Sequence, residues 1–308
     1  MSEKHFFEQK NHARSYLIPF FEEHLPDFRN SAILEVGCAE GGFLAVLHDQ
    51  GITDAVGLEL DPARARVARD RCPVLRIVVG DITDDSIAER IGGAFDLIVM
   101  RDVIEHIPDR TAAFSSLSKL LNADGHLYVT FPPRFSPFAG HQQHGRSLLR
   151  GVPYLHLLPA GAIRALGRAL KERPEFVESV VENYRIGLSI RSFERYCSLF
   201  NLEPVAQSLF LVRPIYQTRF ALTPRRAPNI PFVREVIALG CECLLRKAGP
   251  HPDGLPCGRC SSHPQSVRGI LPQGPAGPWV WLRSSAVPWF RTSWIPLHRV
   301  ATRRTCCV

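Results

Sequence analysis

The chain has 308 residues, 45% of them hydrophobic, with 22 Gly, 25 Pro and 37 Lys+Arg against 30 Asp+Glu for a net charge of +7. Those proportions lie near the globular average and exclude a collagenous or wholly disordered chain. No run approaches the roughly 18 consecutive apolar residues that cross a bilayer, and the charged opening MSEKHFFEQK lacks the apolar stretch of a secretory signal.

Residues 1–30 begin polar and then carry an apolar stripe with interspersed charges from Ser15 to Leu25. One or two entry helices are expected there, a preface lying outside any site. From Ala32 the short runs AILEV, DAVGLEL, LRIVV, FDLIVM and GHLYVTF alternate with segments of helical character. This alternation predicts parallel strands joined by crossover helices, with strands apolar throughout because both faces are covered. After Phe131 the rhythm breaks into a Pro-, His- and Arg-rich stretch, about 132–190, that reads as an insertion over the sheet edge. Within it, residues 160–173 set Ile163, Leu166 and Leu170 on one side of a helix and Arg164, Arg168 and Lys171 on the other. Such a stripe packs on the domain, or meets an anionic acceptor or a membrane surface.

A helix is expected around Ser192–Phe200, followed by two strand-like runs, Pro204–Val212 and Tyr216–Leu222. Their short link predicts an antiparallel hairpin. A last helix is expected over Pro231–Lys247, with Pro in its first turn and a stop at Gly249-Pro250. The fold expected is α/β: a Rossmann-like, doubly wound, mostly parallel seven-stranded sheet with a C-terminal antiparallel hairpin and an insertion after the fifth strand.

From Gly249 onward the composition changes. These residues hold nine Pro, six Gly, all four Trp, seven Arg and one Asp, with neither Lys nor Glu. A disordered tail is expected, and the exclusive use of Arg also matches a GC-rich gene read out of frame. Cys257-Gly-Arg-Cys260 stands there between His251 and His263, too little for a zinc site to be expected. The excess positive charge resides almost wholly in this segment, so residues 1–248 are nearly neutral and give no reason to favour a nucleic-acid partner. The division is therefore 1–30 preface, 31–248 main domain and 249–308 tail. The cysteines do not form a dense disulfide framework, which fits a reducing cytoplasm.

The chemistry concentrates at strand ends. The first strand runs into Glu35-Val-Gly37-Cys38-Ala39-Glu-Gly41-Gly42 directly before a helix. A glycine-rich turn at that junction lets a ligand approach the backbone and aims unpaired N–H groups at it. Gly37-x-Ala39-x-x-Gly42 with Glu59 about 20 residues on approximates the dinucleotide fingerprint, so a nicotinamide-dependent oxidoreductase is a rival reading. Glu35 argues against it: a carboxylate inside a buried strand needs a cationic partner, and a ligand ammonium would supply one. Gly80-Asp81-Ile82 puts another carboxylate where ligands bind in open parallel sheets.

The set ILEVGCAEGGF, VGLELDP, VVGDITD, FDLIVMRDVIEHIPD and LLNADGHLYVTFPP resembles the class I, seven-strand S-adenosylmethionine-dependent methyltransferases. The resemblance implies that Gly37, Cys38, Ala39 and Gly41 lie under the methionine portion of S-adenosyl-L-methionine, with Glu35 near its amino group. It implies Glu59 on the ribose hydroxyls, Leu60 beside the adenine, Asp81 and Ile82 at the adenine, and Arg101 contributing backbone near the methionine. Ala39 stands where the family most often has Gly, and Glu59 where it often has Asp. The acceptor is not specified by the sequence; a small molecule or a glycan or lipid oxygen is the preferred expectation. A catalytically silent cofactor-binding partner protein is a further alternative.

Acceptors approach such sheets past the fifth strand, where His141 and His144 lie, and either could act as base or hold the acceptor. Asp102-x-x-Glu105-His106 resembles the Glu-x-x-Glu-His motif with which certain small-RNA and ubiquinone-pathway O-methyltransferases hold a divalent metal. Without a fourth ligand no metal is expected, and shaping of the cofactor pocket is the expected role.

Overall fold

The computed structural model describes residues 2–248. Its centre is one sheet built from β1 (Ile33–Val36), β2 (Ala55–Glu59), β3 (Arg76–Val79), β4 (Phe95–Arg101), β5 (Leu121–Phe131), β6 (Leu202–Val212), β7 (Arg225–Arg226) and β8 (Gly240–Lys247). The strand order is β3-β2-β1-β4-β5-β8-β6-β7. The first five strands pair in parallel, whereas β8 runs antiparallel to both β5 and β6. The chain winds outward from β1 to β3 and then returns to β4 on the other flank of β1. Loops after β1 and β4 therefore part from each other, and a crevice opens at that switch point.

Every β1 residue is buried, as a strand covered on both faces requires. One face packs Leu34, Ile98, Met100, Leu127 and Val129 against Phe114 of α6 (Arg110–Leu120) and Phe193 of α9 (Ile190–Leu199). The other packs Ile33, Leu97, Val99, Tyr128 and Leu244 against α3 (Gly42–Asp49) and the N-terminal helices α1 (Ser2–His12) and α2 (Ile18–His24). A five-residue π-helical turn, Ala13–Leu17, joins α1 to α2. The crossover helix α4 (Pro62–Arg71) starts on Asp61, whose carboxylate accepts from the Ala63 amide at 2.8 Å. That is the capping chemistry that ends β2 and turns the chain into a helix. A short α5 (Ile87–Ile91) packs on the opposite face, in the core that α6 and α9 share.

Between β5 and α9 the chain builds a cap with a small core of its own, Leu149, Leu155, Ile163, Phe176, Val177 and Val180. Its helices are α7 (Ala160–Ala169) and α8 (Pro174–Ile186). On α7 only Ile163 and Gly167 face inward, and the expected apolar partners Leu166 and Leu170 are exposed.

Three expectations are corrected. The run Tyr216–Leu222 is not a strand: Ile215–Phe220 forms a helix, α10. The hairpin partner of β6 is instead β8, reached through the two-residue edge strand β7 and the short helix α11 (Val233–Ile237). The helix expected over Pro231–Lys247 thus shrinks to α11, and Gly240–Lys247 is a strand. A short apolar run has the same signature as buried helix or buried strand; the vacancy between β5 and β6 decides for strand. The preface reading also fails, because α1 lies over the sheet beside the crevice and sends side chains into it. The zinc reading of Cys257 and Cys260 lies outside the described residues.

Gly57 in β2 shows how tightly this face is filled: a Cβ there would sit 2.6 Å from Cys38 Sγ and 2.7 Å from Leu44 Cδ1. Gly57→Ala is expected to destabilise the fold by about 1–3 kcal/mol through overpacking. Denaturant unfolding with an unchanged m value and a lowered midpoint is the check.

Candidate functional site

The crevice at the C-terminal ends of β1 to β4 holds a cavity of about 350 Å³, closed on one side by α1 and on the other by the ends of β6 and β8. The turn between β1 and α3 forms its floor. Gly37, Ala39 and Gly41 have φ of 74°, 53° and 76°, so the chain passes through left-handed conformation three times in five residues. Gly37 and Cys38 both donate to the Leu58 carbonyl, at 2.8 and 3.1 Å, which folds the turn back onto β2. A side chain on Gly37 would collide with Val103, and one on Gly41 would press on Ala68 and Leu75 of the neighbouring layer. Gly37 therefore keeps the cavity side open, while Gly41 serves the packing of α3 on α4. The Cys38 side chain also points into the core, and burial pushes its thiol up.

Glu59, at the end of β2, clamps this turn. Its Oε2 accepts from the Ala39 amide at 2.7 Å and its Oε1 from the Asp61 amide at 2.9 Å. The carboxylate still lines the cavity, so its remaining lone pairs face a ligand. Leu60, Asp81 and Ile82 line the same end. Glu35 lies beneath, only 1% exposed, and accepts from the Arg101 guanidinium on one oxygen. Its Oε2 has no partner among the described residues. Burial raises the Glu35 carboxyl to about 7 in spite of Arg101. Arg101 itself rests over the Phe43 ring, 5.4 Å from the centroid, and its side chain rather than its backbone alone lines the cavity.

The opposite end is polar in a way the sequence does not announce. Glu242 of β8 is buried between two phenols: Tyr16 donates to Oε1 at 2.8 Å and Tyr128 to Oε2 at 2.7 Å. Burial raises the Glu242 carboxyl, and the tyrosine hydroxyls partly offset it. His12 stacks on Tyr16, and burial, with Arg101 and Arg213 nearby, lowers its imidazole to about 3. His5, Gln9 and His12 all line the cavity, so the N-terminal helix is part of the site. The π-helical turn after His12 inserts one extra residue per turn and thereby turns Tyr16 inward, a use to which such bulges are often put.

A third cluster lies by the cap. The ligating atoms of Glu105, His106 and His141 all fall within 4.8 Å of one another. Both Glu105 oxygens and His141 Nε2 are buried without hydrogen-bond partners among the described residues. Burial, and secondarily His106, lowers the His141 imidazole to about 4. Burial, reinforced by Asp102, raises the Glu105 carboxyl well above its usual range. Asp102, expected with Glu105 and His106, is instead paired to Arg213 at the end of β6. His106 lines the cavity, whereas His141 reaches it only by packing on the His106 ring at 5.0 Å, and exposed His144 lies farther out.

Residues 9–174, more than half of the chain, match the family model described as a methyltransferase domain. The chain belongs to this methyltransferase family. Its type is the class I, S-adenosylmethionine-dependent one. Among curated relatives, the ubiquinone biosynthesis O-methyltransferase of Acinetobacter baylyi is 26% identical over 146 residues, covering 46% of this chain and 58% of that protein. The protein of the same name from Alkalilimnicola ehrlichii is 28% identical over 132 residues, covering 42% and 51%. The chain spans about half the length of the curated relatives it matches. A solved geranyl diphosphate C-methyltransferase from Streptomyces coelicolor superposes with a TM-score of 0.46 at 14% identity, covering 76% of this chain and 79% of that one.

The methyltransferase cavity fits S-adenosylmethionine on two independent features. The Gly37 cradle would be filled by any Cβ, and the unpaired Glu35 oxygen beside it suits an ammonium group. Of the residues expected at the cofactor, Gly37, Ala39, Glu59, Leu60, Asp81, Ile82 and Arg101 line the cavity, while Glu35, Cys38 and Gly41 stand behind them. Sequence reasoning missed His12, Tyr128, Arg213 and Glu242. They come from four elements spread over the whole chain, and no local spacing links them.

Removing the Tyr16 hydroxyl leaves one Glu242 oxygen buried without a donor. Tyr16→Phe is expected to cost about 1–3 kcal/mol. It also raises the folded-state pKa of Glu242 further above the unfolded value of 4.5. A carboxyl raised in the folded state loses stability as pH climbs from the unfolded value, so the deficit of Tyr16→Phe should be larger at neutral pH than at pH about 4. Denaturant unfolding at both pH values measures it.

Proposed function

We propose that this methyltransferase moves the methyl group of S-adenosylmethionine to an oxygen of a small-molecule, glycan or lipid acceptor. The observation that carries the reading is the turn Gly37–Gly41, clamped by Glu59 and underlain by the half-paired carboxylate of Glu35, all inside the matched residues. The names of the curated relatives support oxygen as the acceptor atom. When bound, S-adenosylmethionine supplies an electrophilic methyl on a sulfonium sulfur. The chain's own work is then mainly positional, and well-oriented reactants can gain on the order of 7–11 kcal/mol.

In this reading the Glu59 carboxylate accepts from the ribose hydroxyls while keeping its bond to Ala39. Glu35, behind the lining, turns its negative charge toward the ligand's ammonium, and Leu60, Asp81 and Ile82 flank the adenine. His141 stands on the acceptor side, as base or to hold the acceptor: its Nε2 has no hydrogen-bond partner among the described residues, and with burial lowering its imidazole to about 4 a base role needs the bound acceptor to raise its basicity. A second reading rests on the same cluster. Three ligating groups within 4.8 Å, two of them lacking any partner, also suit a divalent cation held by Glu105, His106 and His141.

Calorimetry separates the cofactor alternatives: S-adenosylhomocysteine should bind and nicotinamide dinucleotide should not. Glu59→Ala should weaken that binding about ten- to hundredfold, the worth of hydrogen bonds to a charged group. Wild-type affinity should rise as pH increases through about 7, where Glu35 ionises and gains the ammonium, and Glu35→Gln should flatten that rise. His141→Ala should cut methyl transfer about a hundredfold or more with cofactor affinity intact. Turnover that vanishes on chelation and returns with added divalent cation would transfer His141 to the metal reading.

A further inference from the structure

The cap between β5 and α9 has a charge pattern that the cofactor site does not explain. From Gly125 to Lys171 the chain contains no Asp or Glu, while Arg134, Arg146, Arg150, Arg164, Arg168 and Lys171 are all basic. The acidic residues Glu175, Glu178 and Glu182 are segregated onto α8. Among the described residues Arg146, Arg150, Arg168 and Lys171 have no carboxylate within ion-pair distance, whereas Arg164 is spent on Glu178 at 2.7 Å. Their charge is available to a partner.

The same segment exposes large apolar side chains that its small core could have absorbed. Leu148 is 81% exposed, and Val152, Leu157, Leu158, Leu166 and Leu170 are each exposed by about 40%. Leu166 on α7 and Leu170 at its C-terminal cap lie one turn apart, with Arg168 and Lys171 close in sequence. Tyr154 of the cap donates to the Val236 carbonyl, so the exposed apolar side chains of α11 adjoin those of the cap. There Phe232 is 81% exposed.

Isolated exposed leucines are ordinary, but a run of them interleaved with unpaired cations and cleared of every carboxylate is the composition of a surface that sits at a lipid interface. Protein partners that complement basic patches with carboxylates would not require the leucines. Nucleic acid would use the charge and leave the apolar side chains in water.

We infer that this cap seats the methyltransferase on an anionic membrane surface, with the exposed leucines entering the headgroup boundary and the unpaired basic residues facing acidic lipid. The inference deepens the proposed function, on which it rests for its meaning: His141 and the cap share one segment, so an amphiphilic acceptor would enter the cavity from the bilayer side. The seating is peripheral, since no helix among the described residues is long and apolar enough to cross a membrane.

The test is co-sedimentation of the full chain with vesicles of phosphatidylcholine alone and of an equimolar mixture with phosphatidylglycerol. Binding is expected only to the anionic vesicles and should weaken as salt rises. Leu148→Asp/Leu166→Asp and, separately, Arg168→Glu/Lys171→Glu should each reduce it by roughly tenfold or more. Calorimetric binding of S-adenosylhomocysteine by each variant should match the wild type, which establishes folding and keeps this outcome separate from failure of the methyltransferase reading. Equal sedimentation of wild type and both variants would overturn the inference. So would absence of vesicle binding, or binding of a duplex DNA probe that resists the leucine substitutions.

Discussion

The carboxylate of Glu59 holds two strands, one turn and one helix in register. A turn that passes three times through left-handed conformation cannot be fixed by its own backbone hydrogen bonds alone. Glu59 supplies the missing anchor by accepting from Ala39 on one oxygen and from Asp61 on the other. The first bond fixes the floor of the cavity and the second starts α4, so the turns after β1 and β2 move as one piece. With α3 set by this turn, α1 finds its seat: the Gly42 amide donates to Gln9 at 3.1 Å, and a Cβ on Gly42 would collide with α1. The N-terminal helix thus takes its place over the cavity against the turn that Glu59 fixes, helped by His5 on Glu40 and Lys10 on Asp49.

Burying so many ionisable groups in one crevice costs stability unless each finds a partner. The molecule solves this locally and unevenly. Arg101 answers half of Glu35, Arg213 answers Asp102, and two phenols answer Glu242. What remains unanswered is as informative: the second oxygen of Glu35 on the cofactor side, and both oxygens of Glu105 with the His141 nitrogen on the cap side. The proposed roles draw on those unsatisfied atoms.

Much of the parallel half was legible in the sequence because its signals are local. Runs such as FDLIVM read as buried strands because they recur in alternation with helical segments, and a glycine turn between strand and helix has few other uses. The antiparallel half was not legible, for a physical reason. Gly240–Lys247 is apolar and short, and its identity as a strand comes from the vacancy it fills beside β5, some 110 residues away in sequence by the Tyr128–Glu242 bond. Tyr216–Leu222 shows the converse, a stretch with strand-like residues that the chain bends into α10 between β6 and the returning strand. The roles of His12 and Tyr16 likewise depend on the π-helical turn, whose extra residue leaves no mark in hydrophobic period. Asp102 illustrates a pair that spacing does not reveal, because its partner Arg213 lies just past β6, 111 residues away.

The place of β8 has a consequence for how the protein comes into being. β8, the last strand among the described residues, is an inner strand of the sheet, so β6 and β7 stay separated from β5 until residue 247 has left the ribosome. Until then the edge of β5 stands open, with Tyr128 and Thr130 waiting for Glu242. The core on this flank is therefore completed only after β8 has been made, by slow, long-range pairing with strands synthesised well before it.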